Sequence, residues 1–254
     1  MLDETRGVSD LPIRPTWRRW FSDFQQSVEA LALQDVDLLD ADKAELKSTA
    51  LALFGRLQSE LDSALVLIDA RRELAFRNAC RSVIDCALHL YAAETDAQYL
   101  NRLKEDDEQS RRSRAKRHLA VNEGRLPKEQ ASILNGFLKR MRGPKQRLLV
   151  SEIDSPVPRL SHVYREISAD ALHVSWTSLH RHVFKNKDGD VQLALEPKVS
   201  REELEEAASA LALSVLFAMR SLLNILPEIA VTYNLHGMFA KYKKIYKRGF
   251  KIVA

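Results

Sequence analysis

The sequence predicts an all-α protein, a single multi-helix bundle of about seven or eight helices with a small polar hairpin or loop near residues 184–199. Only eight Gly and eight Pro punctuate 254 residues, too few breaks for a turn-rich sandwich or barrel. Apolar residues recur at steps of three and four through most of the chain, the period of a helix with one buried face. A composition 45% hydrophobic and 29% charged supplies a sizeable core and excludes general disorder. This length fits one large domain, read as a helical bundle over 1–240 followed by a basic C-terminal extension, 241–254.

Pro15 and Thr16 open the first helix, in which Trp17, Trp20, Phe21, Phe24, Val28 and Leu31 form a heavy aromatic stripe that must be buried. A second helix runs from Ala41 to about Ala70 on Leu46, Leu53, Leu57, Leu61 and Leu65, and a third from about Arg72 to Glu94. Between the first two, the Asp-rich linker from Asp35 to Asp42 supplies caps. Residues 96–122 are strongly charged and suit a peripheral, solvated helix, ended by Gly124 and Pro127. A shorter helix covers Lys128–Met141 and stops at Gly143-Pro144, and a sixth is expected from about Arg159 to Val183.

Asp188-Gly189 is a turn signal, and Val191 to Leu195 alternates weakly, which together place the hairpin. Ser200 with Glu203 forms a capping box that opens the longest apolar helix, through about Ile225. The third, sixth and 200–225 helices are expected at the centre. Within the last of these the longest uncharged apolar stretch, Ala207–Met219, ends at Arg220 and falls short of the roughly 20 residues a spanning helix needs, so no membrane is expected. The acidic, polar beginning MLDETRGVSD does not resemble a secretory leader, and a cytoplasmic location is expected. Cys80 and Cys86 point to different sides of a helix and read as reduced structural thiols.

Charge is local. The segment Lys241–Lys251 carries six cations and no acid, leaving 33 bases against 35 acids in the rest of the chain. Lys241, Lys243, Lys244, Lys247, Arg248 and Lys251 therefore form a candidate nucleic-acid-binding set, with Tyr242, Tyr246 and Phe250 interleaved where they could stack on unpaired bases. The plain alternative is a solvated helix whose aromatics dock on the body. Two further basic clusters stand at Arg111, Arg112, Arg114, Lys116 and Arg117, and at Lys139, Arg140, Arg142, Lys145 and Arg147.

Two polar ridges cross otherwise apolar helices. Arg81, Asp85 and His89 are each four apart on the third helix and share a face. On the sixth, Glu166, Asp170, His173 and Thr177 follow i, i+4, i+7, i+11, while Tyr164 and Ser168 stack beside them. The expectation is that the two ridges meet in the bundle. They then form either a site or a buried polar network that sets helix register.

The run Arg81-Ser82-Val83-Ile84-Asp85, the later Tyr164-x3-Ser168-x4-His173-x-Ser175, the polar hairpin and the long apolar helix together resemble a bacterial all-helical family of unknown function, the one numbered 5677. The resemblance covers roughly Leu46–Leu226 and implies Arg81, Asp85, Tyr164, Ser168, His173 and Ser175 as motif residues. More distantly, such families are similar to the HEPN superfamily of helical bundles, many of them RNases in toxin–antitoxin and phage-defence systems. That signature is an Arg followed four to six residues later by a His. Here Arg81 with His89, and Arg165 with His173, have seven intervening residues, about 80° apart around a straight helix.

What the resemblance implies is RNA binding, or metal-independent RNA cleavage, in stress or phage defence. His173 or His89 would deprotonate a ribose 2′-hydroxyl and Arg81 would stabilise the phosphate charge. A homodimer could assemble a composite cleft, and no cofactor is implied. A metal site drawn from Asp85, His89, Glu166, Asp170 and His173 lacks the paired Glu-x-x-His motifs of a di-iron bundle, so no metal is expected. The alternative is a non-catalytic interaction module that binds a protein or a nucleic acid.

Overall fold

The computed structural model describes residues 13–32, 41–141, 148, 150–169, 175–185, 189–195, 197, 199–229 and 233–249. It is all-α, with nine α-helices and one two-stranded sheet among the described residues. The helices are α1 (Pro15–Ala32), α2 (Ala41–Asp69), α3 (Glu73–Thr95), α4 (Tyr99–Val121), α5 (Lys128–Arg140), α6 (Pro158–Ile167), α7 (Trp176–His180), α8 (Arg201–Ile225) and α9 (Leu235–Gly249). Strands β1 (Val183–Lys185) and β2 (Val191–Leu193) pair antiparallel between α7 and α8. The chain divides into two compact units, Met1–Glu94 with Asp154–Ala254, and Thr95–Ile153.

In the first unit α8 is the central element, packed by α2, α6, α9 and α1. Its sequence explains why. Ala207, Ala208, Ala210, Ala212 and Ala218 keep the helix narrow, while Leu211, Val215, Phe217 and Leu222 fill the spaces around it, all buried. Ser200 accepts the Glu203 amide and the Glu203 carboxylate accepts the Ser200 amide, so the anticipated capping box starts the helix. By length and apolarity α8 could cross a membrane, yet most of it is buried inside the bundle. Cys80 and Cys86 are unpaired and buried, and burial pushes both thiols up.

The aromatic stripe of α1 is buried as its spacing requires. Trp17, Trp20, Phe21 and Phe24 lie in the core, and Trp20 stacks on Phe24 with ring centroids 5.8 Å apart. At the start of α1 the Arg14 amide and Nε donate to Glu205 at 2.7 and 2.6 Å, and Trp17 Nε1 donates to the same carboxylate at 3.0 Å. The carboxylate thereby pins the helix entrance to α8.

The expected helix from Arg159 to Val183 does not form as one piece. α6 ends at Ile167 and runs into a π turn at 168–169, and a new helix begins at Trp176. Ser175 is the reason on the C-terminal side, since its hydroxyl accepts the Ser178 amide while Ser178 Oγ accepts the Ser175 amide. A reciprocal cap satisfies donors that only a helix N-terminus leaves open, which fixes Ser175 outside the helix. Val183, expected at the helix end, opens β1. The hairpin turns at Gly189, whose φ of +89° a side-chain-bearing residue rarely adopts. One of its faces carries Val183 and Leu193 as a cross-strand pair, next to Val191 and Leu195, all exposed.

In the second unit α4 and α5 pack as a helical hairpin, turning at Gly124 with φ +72°. Just before α4 Asp96 accepts the Gln98 amide and pairs with Arg102. Only Tyr99 and Ala115 of α4 are buried, and none of α5. The solvated character anticipated from residues 96–122 is what α4 shows.

Candidate functional site

Arg81 and Asp85 lie one turn apart on α3, both half-buried, and α6 brings Tyr164 and Ser168 against them. Arg81 Nη2 donates to the Tyr164 hydroxyl at 2.6 Å, and Nε donates to Ser168 Oγ at 2.9 Å. The guanidinium carbon also sits 4.7 Å from the centre of the Tyr164 ring, within cation–π range. Ser168 Oγ in turn donates to the Tyr164 carbonyl at 2.6 Å. The Tyr164 hydroxyl is hydrogen-bonded to Asp85, and a phenol facing a carboxylate must donate. Tyr164 thus bridges the cation and the anion of the α3 ridge, accepting from one and donating to the other.

This relay sets the chemistry of the phenol. Burial raises the Tyr164 pKa, and the Asp85 charge and hydrogen bond raise it further, against the lowering effect of Arg81. A phenol so held is a donor at neutral pH and a poor general base. Arg81 has two of its donors committed to hydroxyls fixed on α6, which makes it an anchor between helices.

Of the remaining expected residues, Glu166, Thr177 and Ser175 are placed elsewhere. Glu166 is exposed and pairs with His162 at 3.3 Å, one turn back on its own helix. Thr177 is exposed on α7. The ridge expected to continue from Glu166 to Thr177 is broken because two helices, rather than one, carry it. Ser175 spends its hydroxyl on the α7 cap. Asp170 and His173 lie outside the described residues. His89 is half-buried, one turn beyond Asp85. Among the described residues no group of three His, Cys, Asp or Glu could hold a metal ion.

One turn before Arg81, the same α3 ridge carries a second network. Arg77 is only 8% exposed, and its Nη1 donates to Glu203 at 3.0 Å. Arg181, between α7 and β1, approaches the same carboxylate with Nη1 at 3.2 Å and Nη2 at 2.5 Å, a two-pronged contact. Burial pushes the Glu203 carboxyl up. The Arg181 hydrogen bonds, the Ser200 amide and the charges of Arg181 and Arg77 outweigh it and hold the pKa at about 2. Sequence reading assigned Glu203 only the cap. The available signal was Arg77, which extends the period-four ridge Arg81, Asp85, His89 by one turn.

The cations of the C-terminal segment are placed on α9, which continues through residues 241–249 without a break. Lys241 pairs with Asp23 at 2.6 Å, and Lys243 lies 4.6 Å from the Phe239 ring. Tyr242 is 6% exposed, with its ring between Phe239 and Tyr246 and 5.9 Å from Trp17. Arg159 covers Tyr246 at 5.0 Å. These rings are engaged within the bundle, as in the docked-helix alternative. Lys244 is exposed, while the side chains of Lys247 and Arg248, and all of Phe250 and Lys251, lie outside the described residues.

Two surface clefts lie elsewhere. One of about 690 Å³ between α1 and α2 is lined by Arg18, Gln25, Gln58, Asp62 and Asp69 among others, with Arg18 paired to Asp69. The other, about 610 Å³, lies in the crook of α4 and α5 and has Lys116 and Lys128 among its walls. Neither includes Arg81, Asp85, Tyr164 or Ser168. No protein family, curated protein or solved structure matches the chain.

Proposed function

We propose that the protein is a cytoplasmic, non-catalytic helical interaction module in which the Arg81, Asp85, Tyr164 and Ser168 cluster fixes the register of α6 on α3. The observation that carries this reading is the closed relay through Tyr164. The Arg81 donors at Nε and Nη2, the Tyr164 hydroxyl and Ser168 Oγ each have their partner inside the bundle. A catalytic constellation keeps at least one group aimed at a reacting atom, whereas here the groups face one another. A satisfied polar network of this kind rigidifies a core and selects one arrangement of its helices.

The direct test is incubation of the purified chain with a mixed-sequence RNA in the presence of a metal chelator. The module reading expects intact RNA, and expects Arg81→Gln to lower the melting temperature. Cleavage that is abolished by His173→Ala in a variant of unchanged circular dichroism would overturn it.

A second reading is favoured by the convergence of Arg81, Asp85 and Tyr164 at a half-buried position. It is a HEPN-like, metal-independent ribonuclease, acting alone or as a homodimer. His173 would take the 2′-hydroxyl proton, and Arg81 would turn its remaining donors to the phosphate. The same incubation separates the two readings.

A further inference from the structure

The helical hairpin of α4 and α5 carries its charge unevenly. Between residues 109 and 141 stand nine Lys or Arg residues and two acids, Glu123 and Glu129. The acids of α4 are confined to its first half, where Asp107 pairs with Arg111 across one turn and Asp106 accepts the Leu148 amide. Beyond Arg112 the cations change status. Arg114, Lys116, Arg117, Arg125, Lys128, Lys139 and Arg140 are exposed and make no ion pair among the described residues. Seven like charges left unpaired on one small unit repel one another and are stabilised by a polyanion.

Their placement is also ordered. At 100° per residue, Arg111, Arg114, Arg117 and His118 fall within about 120° of one another around α4. The Arg117 edge of that sector lies about 160° around the helix from the buried Ala115. On α5, Lys128 and Lys139 are eleven apart and share a face to within about 20°. Along α4 the arginines advance by about 4.5 Å per step, comparable with the phosphate spacing of about 3.4 Å of helix axis along one strand. The crook between the helices adds an open cleft of about 610 Å³ with Lys116 and Lys128 among its lining residues.

We propose that this basic face of α4 and α5 binds the phosphate backbone of double-stranded nucleic acid, without reading its sequence. The choice of duplex over single strand rests on the aromatics. Proteins that hold unpaired strands stack bases on exposed rings, and the two aromatic residues of this unit, Tyr99 and Phe137, are buried and half-buried. Arginine and lysine without stacking partners recognise a charged backbone. RNA and DNA duplexes offer the same phosphates, and the experiment distinguishes them.

The test uses the full chain and four probes at several salt concentrations: a fluorescent 20-base-pair RNA duplex, the matching DNA duplex, the corresponding single strand, and phosphatidylserine vesicles. Binding to one or both duplexes, weakening steeply with salt, is expected. The Arg114→Glu, Arg117→Glu double variant should lose about tenfold or more in affinity, and its logarithmic salt slope should fall by about 2, nearly one unit per phosphate contact. The Lys243→Glu, Lys244→Glu variant on α9 should bind as the parent does. No duplex binding, an affinity unchanged by the arm reversal, tighter binding of the single strand, or binding to vesicles alone would each overturn the proposal. Because none of these readouts involves cleavage or the Arg81 cluster, the inference stands or falls separately from the proposed function.

Discussion

On α9 Lys241 and the aromatic rings beside it are engaged with the bundle, whereas on α4 and α5 a run of cations is left to solvent among the described residues. Lys241 holds Asp23, Lys243 lies over Phe239, and the intervening Tyr242 fills a space against Trp17 and Ser209. Arg114, Lys116 and Arg117 have no such neighbours among the described residues. Counting cations along the chain ranks the C-terminal segment first. Asking which cations already have partners ranks the hairpin of α4 and α5 first among the described residues. The sum of charge predicts solubility and long-range attraction, but affinity for a phosphate requires a donor that is not already occupied.

The sharpest contrast is in stability. Tyr242→Ala removes a buried ring that touches three other aromatics, and truncation of a buried aromatic to alanine costs about 3 to 5 kcal/mol. Urea denaturation should show that loss as a lower midpoint. A loss below about 1 kcal/mol would mean that α9 is only loosely attached, and the comparison would collapse.

Glu203→Ala ranks next. It deletes the α8 capping partner and strips both Arg77 and Arg181 of their carboxylate. A nearly buried guanidinium left without its anion destabilises by about 3 kcal/mol. Glu203→Gln keeps the shape and part of the hydrogen bonding, so it should cost less. The same carboxylate gives a pH signature. Its pKa is about 2 in the folded chain against the ordinary 4.5, so its contribution is fully present above about pH 4.5 and is lost as pH falls towards 2. Acid titration of the Glu203→Gln variant should show a shallower loss of stability over that window than the parent does.

Much of this architecture was legible because it rests on local rules. The α1 stripe has one apolar face and no alternative to burial, Ser200 and Glu203 are three apart and cap whatever follows, and Gly189 permits the positive φ its turn needs. The site was legible for the same reason, since Arg81 with Asp85 and Tyr164 with Ser168 each share a face by helical period alone. The break between α6 and α7 was harder to see. Helical spacing from Glu166 to Thr177 continues on paper, and only the reciprocal Ser175 and Ser178 cap decides against it. The Arg77, Glu203 and Arg181 network was hidden for a different reason. Its members are 126 and 22 residues apart, and nothing local tells a capping glutamate that two arginines will also find it. On α9, abundant lysine masked the i, i+4 pair Met238 and Tyr242, which are its buried residues among those described.

The Arg81 cluster supplies an intermediate effect. Arg81→Ala removes charge-assisted bonds to Tyr164 and Ser168 at a half-buried position, worth about 2 kcal/mol. Arg81→Lys retains the charge but lacks the planar fork that reaches both hydroxyls, so it should recover only part of the loss. Full recovery by lysine would mean that charge, rather than the two-point geometry, holds α6 on α3.

The smallest stability effect is expected where the binding effect is largest. Arg114→Ala and Arg117→Ala remove exposed side chains that form no ion pair among the described residues, and substitutions of that kind stay within about 0.5 kcal/mol. Removing like charges from a crowded face also relieves repulsion, so the sign of the change should lean towards stabilisation, most visibly at low salt where screening is weakest. Thermal melts of the double alanine variant at 20 and at 300 mM salt would read this directly. A melting temperature at or above the parent's at low salt, converging at high salt, is the expected pattern. A clear fall would mean that these arginines already serve the fold as Lys241 does, and the distinction between committed and uncommitted charge would no longer hold.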